Sequence, residues 1–174
     1  MNLHRTFVIA SNVFREVIRD RVLYLIGFFA AAMVAATVLL PEVAASTDSQ
    51  MILDVGLAAI SLLGLAITVF VGTGLVNKEI EKRTVYVMVA KPISRTEFIV
   101  GKHWGLSAVL ALLVGVMTAI YLAVLSLRHI DYPLDSIVLS AGFQFLELSL
   151  IAAVAILFGV FTSSLLATML TFAL

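Results

Sequence analysis

The chain alternates between long apolar runs and short polar segments. The long runs cover residues 22–40, 52–76, 103–127 and 137–161. At a rise of about 1.5 Å per residue, helices of this length extend roughly 28 to 38 Å, which matches a bilayer hydrocarbon core of about 30 Å with some tilt. The pattern therefore predicts four complete membrane-spanning helices.

A fifth apolar run occupies residues 165–174 and ends with the sequence. As a helix it would extend only about 15 Å, and carbonyl groups left unpaired in lipid cost several kcal/mol each. The run therefore predicts a partial fifth span, and the pattern favours a chain that continues beyond it. We expect an all-α, polytopic membrane protein with four full spans and the start of a fifth.

Another helical pattern precedes the first span, in residues 1–21. Apolar side chains recur on one face and polar side chains on the other. The apolar face comprises Leu3, Phe7, Ala10, Phe14 and Val17, and the polar face comprises Arg5, Asn12, Arg15, Glu16 and Arg19. This pattern predicts an amphipathic helix in the membrane interface, with its arginines near lipid phosphates or a cytoplasmic partner. The alternative is a basic anchor that only sets the topology.

Composition supports a membrane protein and narrows its chemistry. Hydrophobic residues make up 62% of the chain, charged residues make up 13%, and the mean hydropathy is +1.14, which does not suit a water-soluble domain. The chain has no cysteine, which excludes disulfides and thiolate metal ligands. Its three histidines are isolated and show no zinc-binding spacing, so we expect no metal site.

The basic residues concentrate on one side of the predicted spans. The formal net charge is zero, but only Arg128 among the 11 lysines and arginines lies in a loop on the opposite side. The others precede the first span or separate the second from the third. Because basic residues favour the cytoplasmic side, the N-terminus and residues 77–102 are predicted to be cytoplasmic.

Residues 77–102 form a long polar connection between the second and third spans. The connection is longer than a helical hairpin needs and too short for a separate domain. Residues 77–83 are expected to continue the second span as a helix, and Pro92 is expected to interrupt the backbone. Ser94-Arg95-Thr96-Glu97 fits a capping box, so a new helix is expected from Arg95 to about Leu127. The connection predicts a docking element, although its charges could serve only to set the topology.

The residues of this connection resemble a known family. The motifs are E-I-E-K-R-T at 79–84, A-K-P-I-S-R-T-E-F at 90–98 and G-K at 101–102. They resemble the permease subunits of type-two ABC exporters, in particular the group associated with maturation of multicopper enzymes. The resemblance follows the order of spans over nearly the whole chain but is motif-specific only over 79–102. It implies an N-terminal interfacial helix, six spans, and a loop between spans two and three that contacts an ATPase subunit.

The resemblance also implies roles for individual residues and partners. The predicted ATPase-coupling residues are Glu79, Glu81, Lys82, Arg83 and Thr84 in a coupling helix, and Lys91, Pro92, Ser94, Arg95 and Glu97 in the turn that leads into the third span. Arg83 departs from the family pattern, because many members have glycine there. The implied partners are an ABC ATPase subunit, membrane lipid, and a second copy or a homologous permease, in the plasma (bacterial inner) membrane.

The chain itself lacks the motif for ATP hydrolysis. A Walker A motif needs a glycine-rich loop followed by Gly-Lys and a serine or threonine, whereas Gly101-Lys102 is followed by His103. We therefore expect a non-catalytic chain with no cofactor of its own, and ATP and Mg²⁺ on the partner. The basic residues lack interleaved aromatic residues, so nucleic acid is not an expected partner.

A polar stripe interrupts the fourth predicted span. Ser140, Gln144 and Glu147 share one helical face, and Glu147 lies near the middle of the span. The stripe could line a substrate path, relay protons, or form hydrogen bonds between helices with a protonated glutamate. Two other functions therefore stay open: a gradient-driven secondary transporter that uses Glu147, and a non-transporting scaffold that recruits a cytoplasmic protein.

Overall fold

The protein is helical throughout the described residues of a computed structural model. Those residues are 3–19, 23–43, 48–81, 94–127 and 129–173, and they contain no β-strand. They form the helices α1 (Leu3–Val17), α2 (Leu23–Val43), α3 (Asp48–Glu81), α4 (Arg95–Leu127), α5 (Leu134–Phe161) and α6 (Ser164–Phe172). The predicted all-α class is confirmed.

The number of membrane spans differs from the prediction. In the described part of the chain, three helical stretches are long and apolar enough to cross a membrane: Gln50–Leu75, Thr96–Leu127 and Leu134–Phe161. Helix α2 is not among them; within the described residues its apolar stretch is Ile26–Leu39, about 21 Å long. The predicted count of four full spans is therefore not supported.

The two predicted segments at the ends of the chain both form helices. The run predicted as a partial fifth span is α6, which a short break at Thr162 and Ser163 separates from α5. The Phe172 ring of α6 lies edge-on to the Phe70 ring of α3, with centroids 5.9 Å apart, so α6 folds back against α3. The N-terminal amphipathic pattern corresponds to α1.

Helix α4 lies at the centre of the helix packing. It contacts α1, α2, α3 and α5, and one row of its large side chains is fully buried: Leu106, Leu110, Leu113, Met117, Tyr121 and Leu125. These residues recur every three or four positions, so they form one continuous face of the helix. A helix that is apolar on all sides is typical of such a central position, because it contacts apolar side chains of several neighbouring helices at once.

Small residues allow α5 to approach α3 closely. A Cβ atom added at Gly64 would lie 2.7 Å from Leu148 Cδ1, and one added at Gly72 would lie 2.8 Å from the Cβ of Ala155. Both distances are shorter than van der Waals contact. Close approach of backbones at small residues is how helices commonly associate in membranes, where lipid reduces the hydrophobic driving force between them.

Helix α1 packs against the beginning of α4. Thr6, Val13 and Val17 are buried there, whereas Leu3 and Phe7 of the predicted apolar face are exposed. The apolar side chains of α1 extend around more of the helix than α4 contacts. Gly101 and Gly105 of α4 allow close approach on one side, and that side of α1 is the one that becomes buried. The predicted apolar face was expected to meet the membrane interface rather than α4, so the exposure of Leu3 and Phe7 does not test it and it stays a prediction.

Candidate functional site

The predicted coupling residues lie on both sides of a gap in the described chain. Glu79 and Glu81 belong to the last turns of α3, which continues beyond its apolar stretch as predicted. Ser94 precedes α4, and Arg95 and Glu97 belong to its first turn. The remaining predicted coupling residues lie outside the described residues: Lys82, Arg83, Thr84, Lys91 and Pro92.

Helix α4 begins with the capping box that the sequence predicts. The backbone N–H of Glu97 donates to Ser94 Oγ at 3.2 Å, and the backbone N–H of Ser94 donates to Glu97 Oε2 at 3.3 Å. These reciprocal bonds satisfy two backbone donors that a helix N-terminus would otherwise leave unpaired. Glu97 is buried, with 6% of its surface exposed, so the box is part of the packed structure.

Lys102 joins the beginning of α4 to the end of α3. Its side chain is 2% exposed, its Nζ donates a hydrogen bond to the backbone carbonyl of Leu75, and Nζ lies 4.7 Å from the centroid of the Phe98 ring. A buried ammonium group is costly unless it is paired, and a carbonyl oxygen with an aromatic face provides such an environment. We call this interaction the Lys102 contact.

The motif quoted from the sequence includes Gly101-Lys102 at the entry to the third span, but Lys102 was not among the predicted coupling residues. The motif is therefore the sequence signal that points to Lys102. That signal does not identify Leu75 as the acceptor, because the two residues are 27 positions apart.

A second hydrogen bond joins the opposite ends of the same two helices. Tyr121 Oη of α4 donates to the carbonyl of Leu53 of α3 at 3.0 Å, which we call the Tyr121 contact. Leu53 and Leu75 are separated by about 33 Å along α3, slightly more than a hydrocarbon core of about 30 Å. The two contacts are therefore separated by about the thickness of a hydrocarbon core, and they join α3 and α4 as antiparallel neighbours.

Helix α1 covers the other side of the start of α4. A Cβ atom at Gly101 would lie 2.9 Å from Ile9 Cβ, and one at Gly105 would lie 2.7 Å from the Ala10 carbonyl oxygen. The first turns of α4 are therefore packed between α1 and the end of α3. Movement of these turns would change the packing of both neighbours, because close-packed interiors transmit displacement.

The predicted polar stripe of α5 divides among three environments. Ser140 is exposed, and Gln144 Oε1 accepts a hydrogen bond from Ser61 Oγ of α3 at 3.0 Å. Glu147 is also exposed, and it borders a cavity of about 310 Å³ that opens on the protein surface; the other described lining residues are Leu65, Leu150, Ile151, Thr171 and Phe172. Sequence reasoning did not connect Glu147 with Thr171, which comes from α6.

Comparison with known proteins does not assign this arrangement. Neither the models of protein families, nor the curated proteins, nor the solved structures contain a match to the chain. Among the described residues, no group of three His, Cys, Asp or Glu side chains could hold a metal ion. The described geometry offers two features with chemical consequences: the packed junction of α1, α3 and α4, and the cavity beside Glu147.

Proposed function

We propose that the chain is the transmembrane subunit of an ATP-driven ABC transporter, which couples to a separate ATPase subunit through residues 77–102. The observation that carries this proposal is the Lys102 contact between the two helices that flank the undescribed residues 82–93. A partner that moved this segment would act directly on a packed junction of three helices. In this proposal α2 is the first of four full spans and α6 begins a fifth.

The lengths of α3 and α4 support a role in transmitting movement. Their 34 and 33 residues correspond to about 50 Å each, so both extend beyond a hydrocarbon core of about 30 Å. The capping box fixes the first turn of α4, and α1 packs against the turns that follow. Displacement of residues 82–93 would therefore reach the membrane through continuous helices, and two arrangements that differ by a few kcal/mol would suffice for a switch.

The charge distribution supports a cytoplasmic position for this junction. Ten of the 11 lysines and arginines lie in residues 1–21 and 77–102. The positive-inside rule then orients the N-terminus and the connection between α3 and α4 toward the cytoplasm of a bacterial inner membrane. An ATPase subunit would meet the chain on that side, and a second permease would complete the translocation path.

A gradient-driven secondary transporter is the second candidate, and the cavity beside Glu147 favours it. A carboxyl group in the middle of a span is costly unless it is protonated, paired or in contact with water, and such groups often carry protons in transporters. In this alternative the basic connection would serve only for topology or for recruitment of a scaffolded partner.

Reconstitution with an ABC ATPase subunit from the same organism would distinguish these functions. We expect the two proteins to co-purify in mild detergent, and Arg83→Ala to reduce the stimulation of ATP hydrolysis by the chain. Arg128→Ala is the matched control, because it removes an arginine from the predicted opposite side. Failure to co-purify, or equal stimulation by both variants, would contradict the ABC proposal. A transport activity that survives ATP depletion and is abolished by Glu147→Gln would support the gradient-driven transporter.

A further inference from the structure

The cavity beside Glu147 lies at half the depth of the helix packing. Its lining residue Leu65 is about 15 Å along α3 from Leu75 and about 18 Å from Leu53, where the two contacts with α4 are made. The cavity thus lies near the midpoint between the two contacts. Its volume of about 310 Å³ is at the lower end of the range of small-molecule sites.

With Glu147 ionised, the polar groups that the described residues bring to the cavity accept hydrogen bonds but do not donate them. The hydroxyl group of Thr171 donates its proton to the carbonyl of Ala167 at 2.7 Å, which leaves only its oxygen lone pairs for a ligand. An ionised Glu147 is also an acceptor. The described lining residues include no lysine, arginine or histidine, and no hydrogen bond or ion pair joins Glu147 to another described residue. A complementary ligand must therefore bring both the donor and the positive charge.

The rest of the cavity is apolar. Leu65, Leu150 and Ile151 provide aliphatic surface, and Phe172 provides an aromatic ring that its contact with Phe70 holds in position. Aliphatic surface favours an apolar ligand body, and the face of an aromatic ring attracts a nearby cation. The lining therefore matches a molecule with one cationic end and one apolar end.

We propose that this cavity binds an organic ammonium ion, namely a primary or secondary amine that carries an apolar body about the size of one aromatic ring. The ammonium group donates to the Glu147 carboxylate and to Thr171 Oγ1, while the apolar body packs against the aliphatic residues. The ion pair offsets the cost of placing either charge alone at the middle of a membrane. The binding of the amine requires neither ATP nor an ATPase. A negative result for amine binding would therefore not contradict the ABC transporter proposal, and a positive result would not support it.

Equilibrium binding of a matched pair of ligands tests the proposal. The probes are radiolabelled phenylbutylamine and phenylbutanol, and the protein is embedded in nanodiscs of phosphatidylcholine, which has no net charge. We expect saturable binding of the amine, weakened about tenfold or more by Glu147→Gln because the charge pair is lost. Asp135→Asn removes the other carboxyl group of the same helix, outside the cavity, and is expected to leave binding unchanged. The alcohol is expected to bind weakly, with no effect of Glu147→Gln.

A second variant protects the test against misfolding of the first. Leu150→Trp fills the cavity while Glu147 is kept, and it is also expected to abolish amine binding. Equal amine binding by wild-type protein and Glu147→Gln, alcohol binding as tight as amine binding, or no saturable binding by well-folded protein would overturn the proposal.

Since the chain has no natural cysteine, Leu150→Cys also tests whether another copy covers this face. Efficient disulfide cross-linking between two copies would assign the cavity to a dimer interface and overturn the proposal as well.

Discussion

The ring of Tyr121 occupies the space that a side chain at position 56 would need. A Cβ atom added at Gly56 would lie 2.2 Å from Tyr121 Cε2, and Tyr121 is fully buried. The absence of a side chain on α3 therefore admits the ring, and the ring places its hydroxyl group against the Leu53 carbonyl. This contact fastens one end of the α3–α4 pair, as the Lys102 contact fastens the other.

The first prediction follows from this fit. We expect Gly56→Ala to destabilise the protein by about 1–3 kcal/mol, because the ring must move and the Tyr121 contact is strained or broken. The midpoint of thermal unfolding in detergent measures the effect. Gly115→Ala is the matched control, since nothing lies within 4 Å of the added Cβ and alanine favours helix over glycine. Equal loss of stability in both variants would show that the ring does not set the constraint.

The second prediction concerns Lys102. Lys102→Met keeps most of the apolar stem but removes the donor and the charge, so we expect a loss of about 1–3 kcal/mol in unfolding free energy. We also expect a wider distribution of distances between spin labels at the adjacent ends of α3 and α4. Arg15→Met is the control, because Arg15 is exposed on α1 and such substitutions are usually within about 0.5 kcal/mol. An unchanged label distribution in Lys102→Met would show that this contact does not hold the two helix ends together.

The third prediction concerns the capping box at the beginning of α4. Ser94→Ala removes the acceptor of the Glu97 amide, and such changes cost about 0.5–2 kcal/mol. The effect is expected to be local, as faster hydrogen exchange of the amides in the first turn of α4. Ser94→Asp retains a side-chain acceptor at the cap and is expected to keep exchange slow. If both variants exchange at the wild-type rate, the cap does not stabilise this turn.

The fourth prediction concerns the packing of α1 on α4. A side chain at Gly105 would collide with the Ala10 carbonyl and with Val13, so Gly105→Val is expected to displace α1. Limited proteolysis would then cut within residues 3–17 faster than in the wild-type protein. Gly142→Val is the matched control, because the space around position 142 is open. Wild-type resistance to proteolysis in Gly105→Val would contradict a tight contact between these helices.

Local features of the fold were predictable from the sequence. The bounds of α4, Arg95–Leu127, agree with the prediction because the capping box lies within four residues and the apolar run is continuous. The extension of α3 to Glu81 was also predicted, since nothing in residues 77–81 interrupts a helix. The full length of the first predicted span is not supported, because the apolar stretch found among the described residues of α2 is Ile26–Leu39, which is shorter than the predicted run at 22–40.

Features that join distant segments were not predictable in this way. The side of α1 that is covered depends on Gly101 and Gly105, about 90 positions further along the chain. The division of the polar stripe likewise depends on Ser61 in α3 and on Thr171 in α6. A single sequence records which side chains are polar, but it does not record which helix each of them meets.

The amino-acid sequence by itself determined the helical class, the apolar segments, the grouping of the basic residues in the segments between them, and the beginning of α4. Each of these depends on hydropathy or on bonds between residues a few positions apart, which act before any packing occurs. The tertiary structure alone decided that Lys102 reaches Leu75, that Tyr121 fits against Gly56 and that Glu147 shares a cavity with Thr171. These pairings arise only when helices far apart in the chain pack together, because small residues and side-chain volumes then select one arrangement among many.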